Sequence, residues 1–458
     1  MKKLFSAPTT VNLELTELCN VKCRHCYNFW RDESIGHETI SSTKLKDLIK
    51  KLADAGVFHI ILTGGEPFAN YSLLRDAVKF ISNNKMTMSL NSNLMIVTKE
   101  KLQELRSLGL DHILTSLPSP DFKINDYIMN QKGSLEKIIS GIKLTRESDI
   151  RVSVNMVITR QTKNQVYEAG KLVSSLGCQK LFITRSVPPT YSDTEQDNNY
   201  TLSDNEQIKC LDDALKVKKD FNIAIGTLVS YPLCFLEDLD KYSDFVGRGC
   251  PAQAGHRMSI NANGNIHACV HEEESYGNLM FQSVEEIYTG RMRKWHNRSF
   301  HYEGCEGCRY IDICESGCSM TSLAVNGAHE TKDPLFKGFH VFKKHYNNDN
   351  KQIIKRLISE ETNFFVPSRI RFREEKDFYL VNARWGNTIT TSTKVAKELI
   401  KLQLSKRIFT TKDIENIDID ILADLYFKDI LESDNIDNSK KEVKQGLGFN
   451  FDALEVTT

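Results

Sequence analysis

Between residues 11 and 230 the chain repeats one alternation, a short apolar run followed by a stretch with helical spacing. Val11–Thr16 precedes a helix expected near Lys44–Ala55, where Leu45, Leu48, Ile49 and Leu52 share one face and Gly56 is the stop. Phe58–Leu62 precedes Leu73–Ile81, and Thr87–Ser92 precedes Lys99–Leu108, with Thr98 as the expected N-cap. His112–Leu117 precedes Leu135–Leu144, Arg151–Thr159 precedes Val166–Leu176, and Lys180–Val187 follows; Ile223–Val229 is a candidate late strand. Six such units in order call for an α/β fold with a parallel sheet and right-handed crossovers.

The loop after the first strand reads Cys19-Asn20-Val21-Lys22-Cys23-Arg24-His25-Cys26-Tyr27. Three thiolates at this spacing can hold three corners of a [4Fe–4S] cube and leave one iron open to a small molecule. A zinc loop, or a chance group of cysteines, fits the spacing too. Loops that follow strands are where barrel and α/β enzymes place their chemistry. The second such loop is Thr63-Gly64-Gly65-Glu66-Pro67. Glycines there let a ligand come near the backbone, and a buried carboxylate can hold an ammonium group.

Cys19, Cys23 and Cys26, with His25 before the last of them, Leu15-Thr16-x-x-Cys19-Asn20 before the first, and Gly64-Gly65-Glu66-Pro67 one βα unit later, resemble the radical SAM enzymes. The resemblance implies an open (βα)6 partial TIM barrel over residues 1–235. It implies a [4Fe–4S] cluster on the three cysteines, with S-adenosylmethionine (SAM) chelating the open iron. His25 would lie beside the cofactor, and Gly64, Gly65, Glu66 and Pro67 would contact the methionyl amino group. Reductive cleavage would give a 5′-deoxyadenosyl radical that abstracts hydrogen, with a flavodoxin- or ferredoxin-type protein as electron donor. Polar residues at the other strand ends, Ser92-Asn93, Thr115-Ser116, Asn155 and Arg185, are candidates for the rest of the pocket. Each reads equally well as a satisfied core polar group. Many relatives have an Asp after Ser-Leu in the fourth strand; here the run is Ser116-Leu117-Pro118-Ser119, and that role does not carry over.

Nine of the twelve cysteines fall in two groups, 19–26 and 250–318; Cys178, Cys210 and Cys234 lie outside. Those three read as small buried residues, or as hydrogen donors if the reaction were an epimerisation. Lys2 and Lys3 are followed by no apolar signal region and no long apolar stretch occurs, so a cytoplasmic chain without membrane contact is expected. Cysteines in that setting point to metal ligation rather than disulfides. A net charge of zero gives no indication of nucleic acid as a partner.

The second group runs Cys250, Gly264-x4-Cys269, then Cys305-x2-Cys308-x5-Cys314-x3-Cys318. Alone, the last four suit a zinc knuckle. After a radical SAM core the pattern resembles a SPASM domain, residues 236–336, with one or two auxiliary [4Fe–4S] clusters. Met258–Ile266 would form its hairpin, with Asn263-Gly264 at the turn. By resemblance Cys250, Cys269 and Cys318 hold the first auxiliary cluster and Cys305, Cys308 and Cys314 the second. Relatives carry one more cysteine just past an Asp-Pro; here Asp333-Pro334-Leu335-Phe336 stands there and no cysteine follows Cys318. Each cluster then has three cysteines. His267, His271, His329 or Asp333 are candidates to complete a shell, although the histidines equally suit ordinary surface positions.

Residues 337–362 read as a helical connector and 363–435 as a separate α+β module. Strands are expected at Arg369–Arg373, Phe378–Ala383 and Asn387–Thr391, with turns at Glu375-Lys376 and Trp385-Gly386. Helices are expected at Thr393–Leu404, after Thr411 and at Ile419–Leu431. This order resembles the winged-helix (PqqD-like) recognition element that binds a precursor's leader peptide as an added strand. A structural cap without a ligand fits as well. Residues 436–458 are polar and expected to be disordered. The expected function is a radical SAM/SPASM maturase that crosslinks a ribosomally made precursor peptide through a thioether or C–C bond. Alternatives are an anaerobic sulfatase-maturase-like protein modifier, a SPASM enzyme acting on a small-molecule or cofactor precursor, and, from another class, a non-catalytic iron–sulfur carrier or zinc protein.

Overall fold

The structure, a computed structural model, describes residues 3–28, 37–188, 202–243, 246, 249–297, 304–338, 350–383, 388–414 and 417–436. The chain divides into two units, Met1–Glu237 with Phe245–Phe342, and Asp238–Asp244 with Lys343–Thr458.

In the first unit the predicted alternation is realised as β1 (Thr10–Glu14), α1 (Ser42–Asp54), β2 (His59–Thr63), α2 (Tyr71–Asn83), β3 (Thr87–Asn91), α3 (Lys99–Ser107) and β4 (His112–Ser116). It continues with α4 (Phe122–Met129), α5 (Ser134–Glu147), β5 (Arg151–Ile158), α6 (Val166–Ser175), β6 (Lys180–Arg185), α7 (Asp204–Phe221) and β7 (Ala224–Gly226). The seven strands pair parallel in chain order. Local sequence explains the helices. Leu45, Leu48, Ile49 and Leu52 bury one face of α1, and the Ser41 and Thr98 hydroxyls cap α1 and α3 by accepting backbone N–H groups.

Side chains alternate across a strand, and the parallel register keeps equivalent positions on one face. One face carries Val11, Leu13, Ile60, Leu62, Leu90 and Ile113, all fully buried. The other carries polar groups that bond strand to strand. His59 is 2.8 Å from the Thr87 hydroxyl and 3.0 Å from that of Ser89, and His112 is 2.9 Å from Ser153. Asn12 donates to Ser259, and Thr184 donates to Asn155 at 2.6 Å. Burial pushes His59 down to about 3 and His112 down to about 4, so these imidazoles are neutral cross-strand links.

The expected hairpin forms as β8 (Arg257–Ile260) and β9 (Ile266–His267), paired antiparallel. It is not a free-standing element. β8 lies parallel beside β1, with Asn12 opposite Ser259, and the open sheet runs β7-β6-β5-β4-β3-β2-β1-β8-β9.

The second unit has an antiparallel three-stranded sheet, β10 (Arg371–Glu374), β11 (Tyr379–Asn382) and β12 (Thr388–Thr391), in that order. Helices Thr393–Ser405 and Ile419–Phe427 cover it through Val395, Leu399, Leu402, Leu422 and Leu425. The predicted connector helix is realised at Asn350–Leu357, and Ile354, Leu357 and Ile358 belong to this same core, so that segment is part of the module. The predicted Trp385-Gly386 turn and the tail beyond residue 436 lie outside the described residues. Among the described residues no helix is long and apolar enough to cross a membrane.

Candidate functional site

The cysteine loop and the Gly-Gly-Glu loop are bonded into one piece. Past β1, the Leu15 N–H donates to the Thr63 carbonyl; the Gly65 N–H then donates to Thr16 at 2.7 Å and the Glu66 N–H to Leu18 at 2.8 Å. The glycines make this approach possible. A Cβ on Gly64, whose φ is +130°, would lie 2.3 Å from the Thr16 oxygen, and one on Gly65 would lie 2.1 Å from the Leu18 oxygen. What comes close to these glycines is the backbone of the cysteine loop itself.

Glu66 is 1% exposed. Its carboxylate accepts from the Phe68 N–H (3.0 Å), the Ser92 hydroxyl (2.8 Å) and the Asn93 N–H (2.8 Å). Burial pushes it up to about 7, with the three donors pulling it back. Asn93 extends the link, its side-chain amide donating to Asn20 at 2.8 Å. Pro67 opens a short 3-10 turn, Pro67–Asn70, capped by Glu66. Glu66 thus ties the end of β2, the end of β3 and, through Asn93, the cysteine loop.

Cys19, Cys23 and Cys26 are half-buried, and all twelve cysteines are unbridged. The C-terminal end of α4 holds their loop. The Arg24 N–H donates to Ile128 at 2.8 Å, the Arg24 guanidinium lies 4.6 Å from the Tyr127 ring centre, and the Cys23 sulfur is 3.6 Å from that of Met129. His25, between Arg24 and Cys26, is likewise half-buried. Tyr27 stacks on His271 with ring centres 4.2 Å apart. Burial raises the Tyr27 hydroxyl, with Glu14, Cys26 and Cys269 adding to it, and burial lowers His271 to about 4. The loop of Cys26 therefore abuts the loop of Cys269.

The strand-end candidates divide by face. Ser116 and Asn155 are register partners on the polar face. Arg185 follows Thr184 and leaves the sheet on the opposite side, which is where the alternation sends it. There its guanidinium is engaged by both oxygens of Asp333 (3.0 Å for one pair) and by the Ser230 carbonyl, and it lies over Tyr231. Asp333 also accepts the N–H groups of Cys318 and Leu335 at 3.0 Å each. Both carboxylate oxygens are thus taken by Arg185 and backbone donors.

In the second group, burial and then the Cys318 thiol push Cys250 up to about 11, and burial followed by Cys250 raises Cys269. These three thiols are neighbours, with the Arg257 guanidinium beside Cys250 and Cys269. His267 bonds the Glu274 carbonyl at 2.9 Å, and His329 is 3.5 Å from Glu272. Glu272 accepts the Ala268 N–H, which orders the Cys269 loop, and burial pushes it up to about 7.

Cys305, Cys308 and Cys314 line a small cavity, partly open to solvent, together with Pro232 and Phe336. Cys234 lies outside both groups by spacing, yet it lines the same cavity. Its signal in the sequence was indirect, namely one thiol too few after Cys318. Among the described residues no three His, Cys, Asp or Glu side chains are drawn together tightly enough for a single metal ion. The thiol donor sets suit iron–sulfur clusters, and backbone N–H groups are aimed at the Cys314 and Cys234 sulfurs.

The radical SAM superfamily model matches residues 13–173, and the SPASM iron–sulfur cluster-binding domain matches 250–309. The chain is 24% identical to a PqqA peptide cyclase of Bradyrhizobium diazoefficiens over 72% of this chain and 86% of that one. It is 22% identical to an AdoMet-dependent heme synthase of Nitratidesulfovibrio vulgaris, over 70% and 90%. SuiB of Streptococcus suis, bound to S-adenosylmethionine, superposes with a TM-score of 0.58 at 17% identity, covering 74% of this chain and 78% of that one. Strands β2–β5 and the loops that follow β1 to β4 fall within the first match, and Cys250, Cys269, Cys305 and Cys308, four of the six cysteines from 250 onward, fall within the second. The chain therefore carries a radical SAM domain followed by a SPASM domain, both of which bind [4Fe–4S] clusters, and it is an enzyme.

Proposed function

We propose that this enzyme matures a ribosomally made precursor peptide, using a 5′-deoxyadenosyl radical from SAM to abstract hydrogen and install a thioether or C–C crosslink. The observation that carries the reading is the bonded unit of Cys19–Cys26 with Gly64–Glu66, against which the Cys269 loop is stacked through Tyr27 and His271. When bound, a reduced cluster on Cys19, Cys23 and Cys26 supplies the electron that splits SAM. The chain's own work is positioning. Gly64 and Gly65 fix the loop height, Glu66 and Asn93 lock it to β2 and β3, and Asn93, Ser116 and Asn155 are offered as contacts for the polar parts of SAM.

A peptide substrate is supported by the relatives, one of which is named a PqqA peptide cyclase, and by a SuiB structure bound to its precursor peptide SuiA. The second unit suits leader binding, since β10 and β12 are the outer strands of its sheet and an extended peptide can add to such an edge. The similarity to heme synthases favours a second reading, chemistry on a small cofactor precursor. Anaerobic reconstitution with SAM and dithionite should yield 5′-deoxyadenosine, and Cys19→Ala should abolish it. Co-expression with short reading frames adjacent to the gene should then give a peptide lighter by two hydrogens. No 5′-deoxyadenosine sinks the radical chemistry, and an unmodified, unbound peptide alongside a modified porphyrin precursor sinks the peptide reading.

A further inference from the structure

We propose that Cys234 is the fourth thiolate of the second auxiliary site, so that Cys234, Cys305, Cys308 and Cys314 together hold one [4Fe–4S] cluster by cysteine alone. The assignment rests on the SPASM domain binding iron–sulfur clusters and holds whatever the substrate is.

Geometry comes first. The four cysteines line one cavity, though Cys234 precedes the others by about seventy positions or more in the chain. It is carried on the 3-10 turn Leu233–Phe235, and the same turn's Leu233 N–H donates to the Cys314 sulfur at 3.3 Å. From the other side, the Lys337 N–H donates to the Cys234 sulfur at 3.3 Å. Lys337 lies just past Asp333-Pro334, where the cysteine spacing lacks its last member. The strand of chain that carries no thiol there thus packs its backbone on the thiol that Cys234 brings.

Hydrogen-bond sense separates Cys234 from the two other outlying cysteines. A neutral thiol is a weak acceptor, whereas a metal-bound thiolate is a good one, and N–H groups on its sulfur are a usual feature of cluster sites. Cys234 and Cys314 each receive a backbone N–H, and the Ser316 hydroxyl lies 3.5 Å from the Cys305 sulfur. Cys210 does the opposite, donating its S–H to the Lys163 carbonyl at 3.3 Å as a buried thiol does. The electrostatic neighbours of Cys178 include no other cysteine, while those of Cys234 include Cys305 and Cys308.

The turn is also held in place. Arg185 binds the Ser230 carbonyl and lies over Tyr231, while its partner Asp333 receives the Cys318 N–H. One buried pair therefore fixes both the segment leading to Cys234 and the end of the Cys314–Cys318 run.

Each thiol loses its proton on binding iron, and four thiolates on four irons leave no vacant position. The second auxiliary cluster would then serve only to carry electrons, and of the two auxiliary sites only that of Cys250, Cys269 and Cys318 is left to take an external ligand. The test uses the full-length chain, purified and reconstituted anaerobically, with iron and sulfide counts, EPR of the reduced protein and redox titration. Cys305→Ala identifies the cluster's signal by its loss. Cys234→Ala should lose the same signal, or retain it in a form that shifts when 2-mercaptoethanol is added, as the parent signal does not. Cys234→Ser should keep the cluster with a shifted midpoint potential, which guards against a variant that simply misfolds. Cys210→Ala should leave all counts unchanged. If Cys234→Ala and Cys234→Ser both keep the parent iron count, spectrum and potential, the assignment is wrong. It is equally wrong if Cys305→Ala removes no signal.

Discussion

Asp333→Ala is the substitution whose cost the structure defines best. The Arg185 side chain is 3% exposed and that of Asp333 is 0% exposed. Removing one partner of such a pair costs about 3–5 kcal/mol, because the remaining charge cannot reach water. The Cys318 and Leu335 N–H groups lose their acceptor as well, at about 1 kcal/mol or more each. The sum, about 5–7 kcal/mol, is comparable with the whole stability of many domains. At an m-value near 3 kcal/mol/M it moves a urea midpoint by about 2 M. Midpoints are to be read for the parent, Asp333→Ala, Arg185→Met and the double variant, using fluorescence of Trp295, which is fully buried in this unit. The double variant should be more stable than Asp333→Ala alone, since it no longer buries an unpaired charge. A loss under about 1 kcal/mol in Asp333→Ala, or additive single effects, would refute the reasoning.

Gly65→Ala should be worse for activity than for folding. Its Cβ would need the Leu18 carbonyl to retreat from 2.1 Å, and a shift of about 1 Å at a reacting centre can cost about a hundredfold in rate, measured as 5′-deoxyadenosine formed per minute. Glu66→Gln gives a pH signature. The carboxyl sits near 7 when folded and near 4.5 when free, so between those values the unfolded chain ionises first and the parent loses stability as pH rises, levelling above 7. The variant lacks that slope, so its melting temperature relative to the parent should rise from pH 5 to pH 8; a constant difference would contradict the assigned burial. Tyr27→Ala should separate the two cysteine loops by removing the stack on His271, lowering coupled turnover while leaving iron content near that of the parent.

Much of the architecture was written locally. Leu45, Leu48, Ile49 and Leu52 predict α1 because burial needs only a helical period, and Thr98 caps α3 as its side chain and position suggest. The strands of the second unit overlap the predicted segments for the same reason, β10 running one residue past the expected end at Arg373. What local pattern does not carry is the choice of partner. The Asn263-Gly264 turn marks a hairpin, but nothing in it says that β8 will lie beside β1, some 250 positions away. The polar residue of β6 that faces Asn155 is Thr184, and Arg185, one position on, is turned away by the pleat. A one-residue difference in register is enough to reassign a charged side chain from a pocket to a buried ion pair.

The same distinction governs the cysteines. Spacing groups ligands only when one short segment supplies them, as at Cys19–Cys26 and Cys305–Cys318. A cluster counts ligands in space, and a site short of one thiol along the chain can be complete if another segment returns to it. The turn Leu233–Phe235 does return, bringing Cys234 to the Cys305, Cys308 and Cys314 cavity with the Lys337 N–H on its sulfur. On that assignment the two auxiliary sites are unequal, one closed by four thiolates and one, at Cys250, Cys269 and Cys318, held by three. The asymmetry gives each site a separate job. On the same assignment the three-cysteine site lies towards the Cys19–Cys26 loop through the Tyr27–His271 stack, where an open iron would be placed to meet substrate, while the closed site would only pass electrons onward.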